Sequence, residues 1–398
     1  MAANRAGFLG KLDFSMSVYL DHAATTVMRD SAIQTAADVM GRITGNPSGA
    51  HGAAQQARTI IEEARDEIAE LLGAAPRELV FTSGGTESAN LGVIGAARVN
   101  DNLSDGSGVV CSAIEHHAVL NAVESLGGRF VRVKADGQLD MGHLAELIDG
   151  TTSVVSVMAV NNETGGIQDI GTVARTVANR APQAVVHTDA VQAVAWLDVA
   201  SHCKDAHLLS VSAHKIGGPM GTGALVVREG TMIAAQIVGG GQERELRSGT
   251  QNVAGIAAFC VALRETVAER EATVSRVRQL RDALLDGLPA ACEGVRETVP
   301  RQSTVAGHAH VTFDDIDSES LLFMCDEAGL FASAGASCAS GAMQPSHVLM
   351  ALGLDERHAR NGVRLTLGRT STLNDVDEAL RIIPSAVERL SSRRRVSA

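Results

Sequence analysis

From residue 53 to 72, apolar positions recur at helical spacing among charges (Ala54, Ala57, Ile60, Ile61, Ala64, Ile68, Leu71, Leu72), which predicts an amphipathic helix. The next run, Glu78-Leu-Val-Phe-Thr-Ser, predicts a buried strand. Further strand-like runs follow at 108–113, 152–160, 184–188, 207–212 and 223–228, with a helix over 170–180. Strands separated by helical crossovers imply a mainly parallel, wrapped α/β sheet. A polar helical run over 257–288, free of glycine until Gly287, suits a link to a second unit. Beyond it, a strand at 308–313, a helix from Ser318 and a helix over 374–390 predict a smaller α/β unit.

At 398 residues the chain is long for one core, which agrees with two units. No stretch approaches the roughly 20 apolar residues that span a bilayer, and residues 1–14 lack the apolar centre of a secretory signal. The expected location is the cytoplasm. A formal charge of −12 disfavours direct binding to nucleic acid or an anionic membrane. Arg393-Arg394-Arg395 is a local exception and reads as a solvated tail. Six cysteines (Cys111, Cys203, Cys260, Cys292, Cys325, Cys338) are far apart with no CxxC pair, so they read as free thiols. Thirteen histidines include no HExxH, and adjacent His116 and His117 diverge on a helix, so no metal site is expected.

Ligands of parallel sheets sit beyond the carboxyl ends of the strands, and unusual polar residues collect there. After the strand ending near Phe81 comes Thr82-Ser-Gly-Gly-Thr-Glu-Ser, which suits either a phosphate at a helix start or an ordinary turn. Glu115-His116-His117, Asn161-Asn162-Glu163-Thr164-Gly165 and His187-Thr188-Asp189-Ala-Val-Gln192 follow later strands. A carboxylate at such an end is costly unless paired. Asp189 therefore either caps a helix or meets a cation such as a pyridinium nitrogen, whose protonation it would maintain. Ser212-Ala-His214-Lys215 closes another apolar strand beside the glycine-rich 217–223 turn, 26 residues after Asp189. A lysine there is either a surface cation or, with a lowered pKa, an amine able to form a Schiff base.

With these motifs the sequence resembles the cysteine desulfurases, in the class V branch of fold type I pyridoxal-phosphate enzymes. The likeness runs from Tyr19-Leu-Asp-His-Ala-Ala-Thr-Thr26 to about Arg369, through Gly45-Asn-Pro-Ser48, 82–90, Glu115-His116, 161–165, 188–192, 212–218, 239–250 and 363–369. It implies a large cofactor domain over 28–272 and a small domain from 1–27 and 273–398 that carries the catalytic cysteine loop. It also implies Lys215 as the Schiff-base lysine, Asp189 on the pyridine nitrogen and His116 stacked on the ring. Asn162 and Gln192 would lie near the phenolic oxygen, and Gly85, Thr86, Ser212 and His214 would contact the phosphate. The family is a homodimer, and Thr250 would reach the phosphate from the neighbouring subunit. Arg364 would clamp the substrate carboxylate, a planar anion that suits a bidentate guanidinium; without the resemblance it reads as a salt bridge. Asn46 is a second candidate for substrate contact, although Asn-Pro is also ordinary turn chemistry.

Cys338 lies in Ser333-Ala-Gly-Ala-Ser-Cys-Ala-Ser-Gly341, a run of small residues that reads as a mobile loop. It matches the sulfur-accepting cysteine of the family, whose form is close to Ser-Ser-Gly-Ser-Ala-Cys-Thr-Ser. Serine and alanine are exchanged before the cysteine here, and alanine replaces threonine after it. The loop resembles the long-loop class rather than the one reading Arg-x-Gly-His-His-Cys. The implied reaction converts L-cysteine to L-alanine, with Lys215 as base, His116 as proton carrier and sulfur held as a Cys338 persulfide. Acceptors in such families are an iron–sulfur scaffold, a tRNA-thiolating enzyme or a DNA-sulfur system. The rival readings are a selenocysteine lyase, another class V aminotransferase, and a cofactor-bound scaffold.

Overall fold

The computed structural model describes residues 17–99, 108–334 and 344–397. Its strands are β1 (Val18–Tyr19), β2 (Leu79–Thr82), β3 (Val109–Ser112), β4 (Arg129–Val131), β5 (Val154–Ser156), β6 (Val185–Asp189), β7 (Leu208–Ser212), β8 (Gly223–Val227), β9 (Val295–Glu297), β10 (His308–Phe313), β11 (Leu330–Phe331) and β12 (Gly362–Thr366). The principal sheet has the order β2-β8-β7-β6-β5-β3-β4. Pairing is parallel from β7 through β6, β5 and β3 to β4, while β8 runs antiparallel to both neighbours. The short return from Ser212 to Gly223 has no room for a crossover helix, so β8 must come back antiparallel.

The helices that matter for the site are α1 (Asp30–Arg42), α2 (Gly52–Leu71), α3 (Gly85–Val99), α4 (His117–Ser125), α5 (Ile170–Arg180), α6 (Val253–Ala291), α7 (Ser318–Glu327) and α8 (Leu373–Ser397). Alternation along each strand divides the sheet between two layers. Leu79, Phe81, Val110, Val155, Leu209 and Val211 pack with α2, α5 and the first half of α6. Val80, Val109, Cys111, Val154 and Leu208 pack with α3 and α4 on the other face. Helix α6 changes partners along its length: Ile256, Phe259 and Leu263 belong to the first core, Val277, Leu280, Leu284 and Leu288 to a separate one. That second core also holds α7, α8 and an antiparallel sheet of order β12-β10-β9. At Gly287 a Cβ would stand 2.6 Å from Leu380, so the glycine permits α6 and α8 to touch.

The 152–160 run forms a strand only over Val154–Ser156. Met158, Ala159 and Val160 stay buried beyond the regular strand, where Ala159 N still bonds Asp189 O at 2.9 Å and Val160 bridges Ile167. Strand β4 was not expected because its Phe130 is exposed and its Arg129 half-buried. Helix α8 continues to Ser397, past the expected end at 390; the side chains of Arg393, Arg394 and Arg395 lie outside the described residues.

One buried ion pair fixes the edge of the sheet. Arg65 of α2 donates through both terminal nitrogens to Glu243, at 2.9 and 2.8 Å, and the same carboxylate accepts from Phe81 N (2.9 Å) and Gln251 (2.7 Å). Burial pushes the Glu243 pKa up, but these donors outweigh it and hold the carboxyl below its usual range. Residues Glu243, Arg244 and Glu245 all have left-handed backbone, which side chains disfavour. Glu243→Ala should therefore cost about 3–5 kcal/mol in urea denaturation, because it strands a buried guanidinium. The double variant Arg65→Met/Glu243→Leu should lose less than Glu243→Ala alone.

Candidate active site

The strand ends of the principal sheet deliver its reactive groups to one cleft. Lys215 lies in the 3₁₀ turn Ala213–Ile216 that directly follows β7, and Gly217 closes the turn at φ 80°. A Cβ at Gly217 would meet Arg29 Cγ at 2.9 Å, so glycine is required twice over. The Lys215 amine donates to the carbonyls of Ala23 (2.5 Å) and Ala24 (2.7 Å). Burial and then the Arg364 charge lower its pKa to about 8, against the opposing pull of Asp189 and Asp21.

Asp189 ends β6 at 6% exposure and forms no salt bridge among the described residues. Its Oδ1 accepts from Val191 N at 2.9 Å, a local turn contact; residues 191–196 form a turn, so the helix expected as one alternative from sequence does not start here. Burial still raises its pKa to about 6, opposed by that bond and by Lys215. Gln192 donates to Ala23 O at 2.8 Å, the carbonyl that also receives Lys215. The Thr188 hydroxyl is buried without a partner.

Across the turn from Lys215, the buried Ser212 hydroxyl also lacks a partner. It faces Gly84, whose added Cβ would stand 3.8 Å away, and Gly85, which opens α3. Thr82 and Ser88 hold this turn through a 2.7 Å hydroxyl contact, and Thr86 is exposed at the helix start. A glycine-opened helix N-terminus beside an unused hydroxyl suits a phosphate. His214 contacts Thr25 at 3.2 Å and is held neutral, at about 4, by burial and Lys215. His116 caps α4 by accepting from Ala118 N at 3.1 Å. Its ring is open to the cleft, yet desolvation by the surrounding protein and then the charges of Lys215, His117, His347 and Arg364 push it to about 4. A neutral ring suits stacking on a cofactor.

Arg364 of β12 enters from the second core. It donates to Asn162 O (2.9 Å) and Asp21 Oδ1 (2.7 Å), while its buried Nε and the Asn162 Oδ1 remain unpartnered. The residues before and after the 335–343 segment are anchored here. Ser333 pairs main chain to main chain with Arg364, and Ser346 donates to the buried Glu163 at 2.5 Å. Next to it, His347 contacts the carbonyl of Glu115 at 3.0 Å. Cys338 itself lies outside the described residues. Asn46 is exposed and accepts from Ser48 N at 2.9 Å, its local turn; Thr250 is exposed on the 239–250 loop. Neither has a described bond to the cleft. Sequence reasoning assigned no role to Asp21, Glu163 or the Ala23 and Ala24 carbonyls. Asp21 was visible within the Tyr19–Thr26 motif, but its pairing with a strand 343 residues away was not.

These residues fit pyridoxal phosphate: an unpaired buried carboxylate for a ring nitrogen, a lysine of lowered pKa, and an unused hydroxyl at a glycine-lined helix start. The Aminotransferase class-V family model matches residues 18–379. An "IscS-like cysteine desulfurase" of Mycobacterium tuberculosis is 41% identical, covering 93% of this chain and 96% of its own. "Cysteine desulfurase IscS 1" of Archaeoglobus fulgidus is 38% identical over 94% and 98% respectively. The solved structure of a "NifS-like protein" superposes with a TM-score of 0.87 at 33% identity, covering 94% of this chain and all of the other. A fold of this kind, matched over nearly its whole length, means that the chain belongs to the class-V aminotransferase family of pyridoxal-phosphate enzymes.

Proposed function

We propose that the chain is a cysteine desulfurase that converts L-cysteine to L-alanine and holds the sulfur as a persulfide on Cys338. The observation that carries this reading is the anchoring of the chain on both sides of residues 335–343, at Arg364 and at Glu163, beside Lys215. Pyridoxal phosphate, when bound, supplies a ring that withdraws electrons from the substrate Cα. Asp189 would hold its nitrogen, Ser212, His214, Gly85 and Thr86 its phosphate, Asn162 and Gln192 its phenolic side, and His116 its face. Arg364 offers its free Nε to the substrate carboxylate, with Asn46 a weaker contact. Lys215, as neutral amine, takes the Cα proton, and His116 carries a proton to the departing product. The Cys338 thiolate attacks the substrate sulfur; the S–S bond forms as the Cβ–S bond breaks, its electron pair remaining with the carbon skeleton that leaves as alanine. The persulfide passes to an acceptor protein such as an iron–sulfur scaffold or a thiolating enzyme, in the cytoplasm.

Two organisational readings accompany this one. The domain division at 28–272 is supported by the change of core along α6 between Leu263 and Val277. A homodimer is supported by the connection between β8 and α6 that bears Thr250: Met232 and Val238 on it are 69% and 81% exposed, and Ser248 N bonds Ile237 O at 3.0 Å within it. Large apolar side chains so exposed suit a partner's surface.

Five outcomes are expected. Capture of pyridoxal phosphate by the apo-protein should rise with pH with a midpoint near 8, since only the neutral Lys215 amine is nucleophilic. Arg364→Ala should move that midpoint upward by removing a cation, as read by absorbance against pH. Cys338→Ala should keep the cofactor spectrum and still exchange the substrate Cα hydrogen, while alanine formation falls to background. In the wild type Cys338 should be the first thiol alkylated, because Cys111, Cys203, Cys260, Cys292 and Cys325 are all buried. A selenocysteine lyase or an aminotransferase would instead retain turnover in Cys338→Ala. Finally, a mixture of Lys215→Ala and Thr250→Ala chains should recover about a quarter of wild-type activity after random exchange, since half the dimers would carry one intact composite site.

A further inference from the structure

His308 of β10 is 3% exposed, and neither of its ring nitrogens has a partner. Gly165, at φ 76°, packs directly on it; a Cβ there would stand 2.4 Å from that of His308. A buried imidazole with two idle nitrogens is costly unless water satisfies it. Beside it lies a cavity of about 50 Å³ that Lys215, Gln192 and Thr366 also line. Its walls are largely apolar, but the Lys215 amine, the Gln192 amide, the Thr366 hydroxyl and the His308 ring give a water there enough polar partners to be ordered. The lining grades from buried at His308, Gln192 and Thr366 to half-buried at Arg270, Thr273 and Arg369, whereas His116, Asp189, Ser212 and His214 do not contribute. The cavity thus leads from Lys215 toward solvent on a side away from the cofactor cleft.

We propose that this cavity is a water-filled proton outlet for Lys215, with His308 as the positioning residue that holds its waters and relays the proton. The inference rests on Lys215 acting as the base. The Lys215 ammonium gives a proton to a cavity water, and that water gives one to the free nitrogen of His308. The opposite ring N–H releases its proton to the next water, so Lys215 returns to neutral amine and His308 changes tautomer. Solvent buffer is the final acceptor. The transfer has to be concerted, because burial, and after it the charges of Arg364, His310, Lys215 and Arg281, disfavour an imidazolium at His308. At the outer end, Glu265 and Glu269 pair with Arg29, and Asp198 with Arg270. These three carboxylates balance Arg29, Arg270 and Arg369, so the outer end presents no net positive charge against the departing proton.

The test is turnover of L-[2-²H]cysteine in ordinary water, with mass spectrometry of the alanine formed. Wild type should lose nearly all the deuterium. His308→Phe should retain several-fold more, up to about a third, because the label shares Lys215 with two other hydrogens. His308→Gln, which keeps a donor and an acceptor, should restore the loss, and this separates a relay from a purely structural role. Equal retention in wild type and His308→Phe would overturn the proposal, as would a diffraction map of the wild type with no water against the His308 ring. If Lys215→Ala still removes the Cα deuterium, the assignment of the base fails instead, and with it the premise of the outlet.

Discussion

The burial of Asp189 without a cation is the constraint around which the rest of this structure is arranged. A carboxylate at the end of a central strand cannot reach water, and its pKa rises to about 6 for that reason. A pyridinium nitrogen would relieve that cost, so the bare protein already carries an electrostatic demand for its cofactor. Neighbouring features follow the same logic. The Ser212 and Thr188 hydroxyls and the Arg364 Nε are buried and unused, and unsatisfied groups of this kind cluster where a ligand completes the hydrogen bonding.

Holding Lys215 ready is a matter of opposing charges. Burial and Arg364 favour the neutral amine; Asp189 and Asp21 favour the ammonium. Asp21 also pairs with Arg364, so one carboxylate restrains both the base and the cation that tunes it. Because Arg364 comes from β12 and Asp21 from just after β1, this balance depends on how the second core docks against the first. Helix α6 sets that docking. Its two halves pack into different cores, and a rigid rod shared between them fixes their spacing better than a flexible linker would.

Two buried carboxylates stand close to the substrate side for a different purpose. Glu163 accepts from Ser346, and Glu115 accepts from Met158 N at 2.6 Å; burial raises the pKa of both. Burial disfavours the charged form of each, so they compete less with Asp189 for positive charge.

Much of this was legible in the sequence, for a definable reason. Local rules decide where a strand ends and what turn follows, so 3.6-residue and two-residue periodicities located α2, α5, α6, β2, β6, β7 and β8, and the residues just past the strand ends included Asp189, Gln192 and Lys215. Weakly apolar edges such as β4 and β9 escaped, since an exposed edge strand carries little periodic signal. What only the tertiary structure decided is which distant groups meet. The contact of Arg364 with Asp21, the convergence of Lys215 and Gln192 on the Ala23 carbonyl, and the idle ring of His308 beside the Lys215 cavity join segments 343, 192, 169 and 93 residues apart. No local pattern encodes such meetings, because burial, and with it the cost of every unpaired charge, exists only once the chain has closed around them.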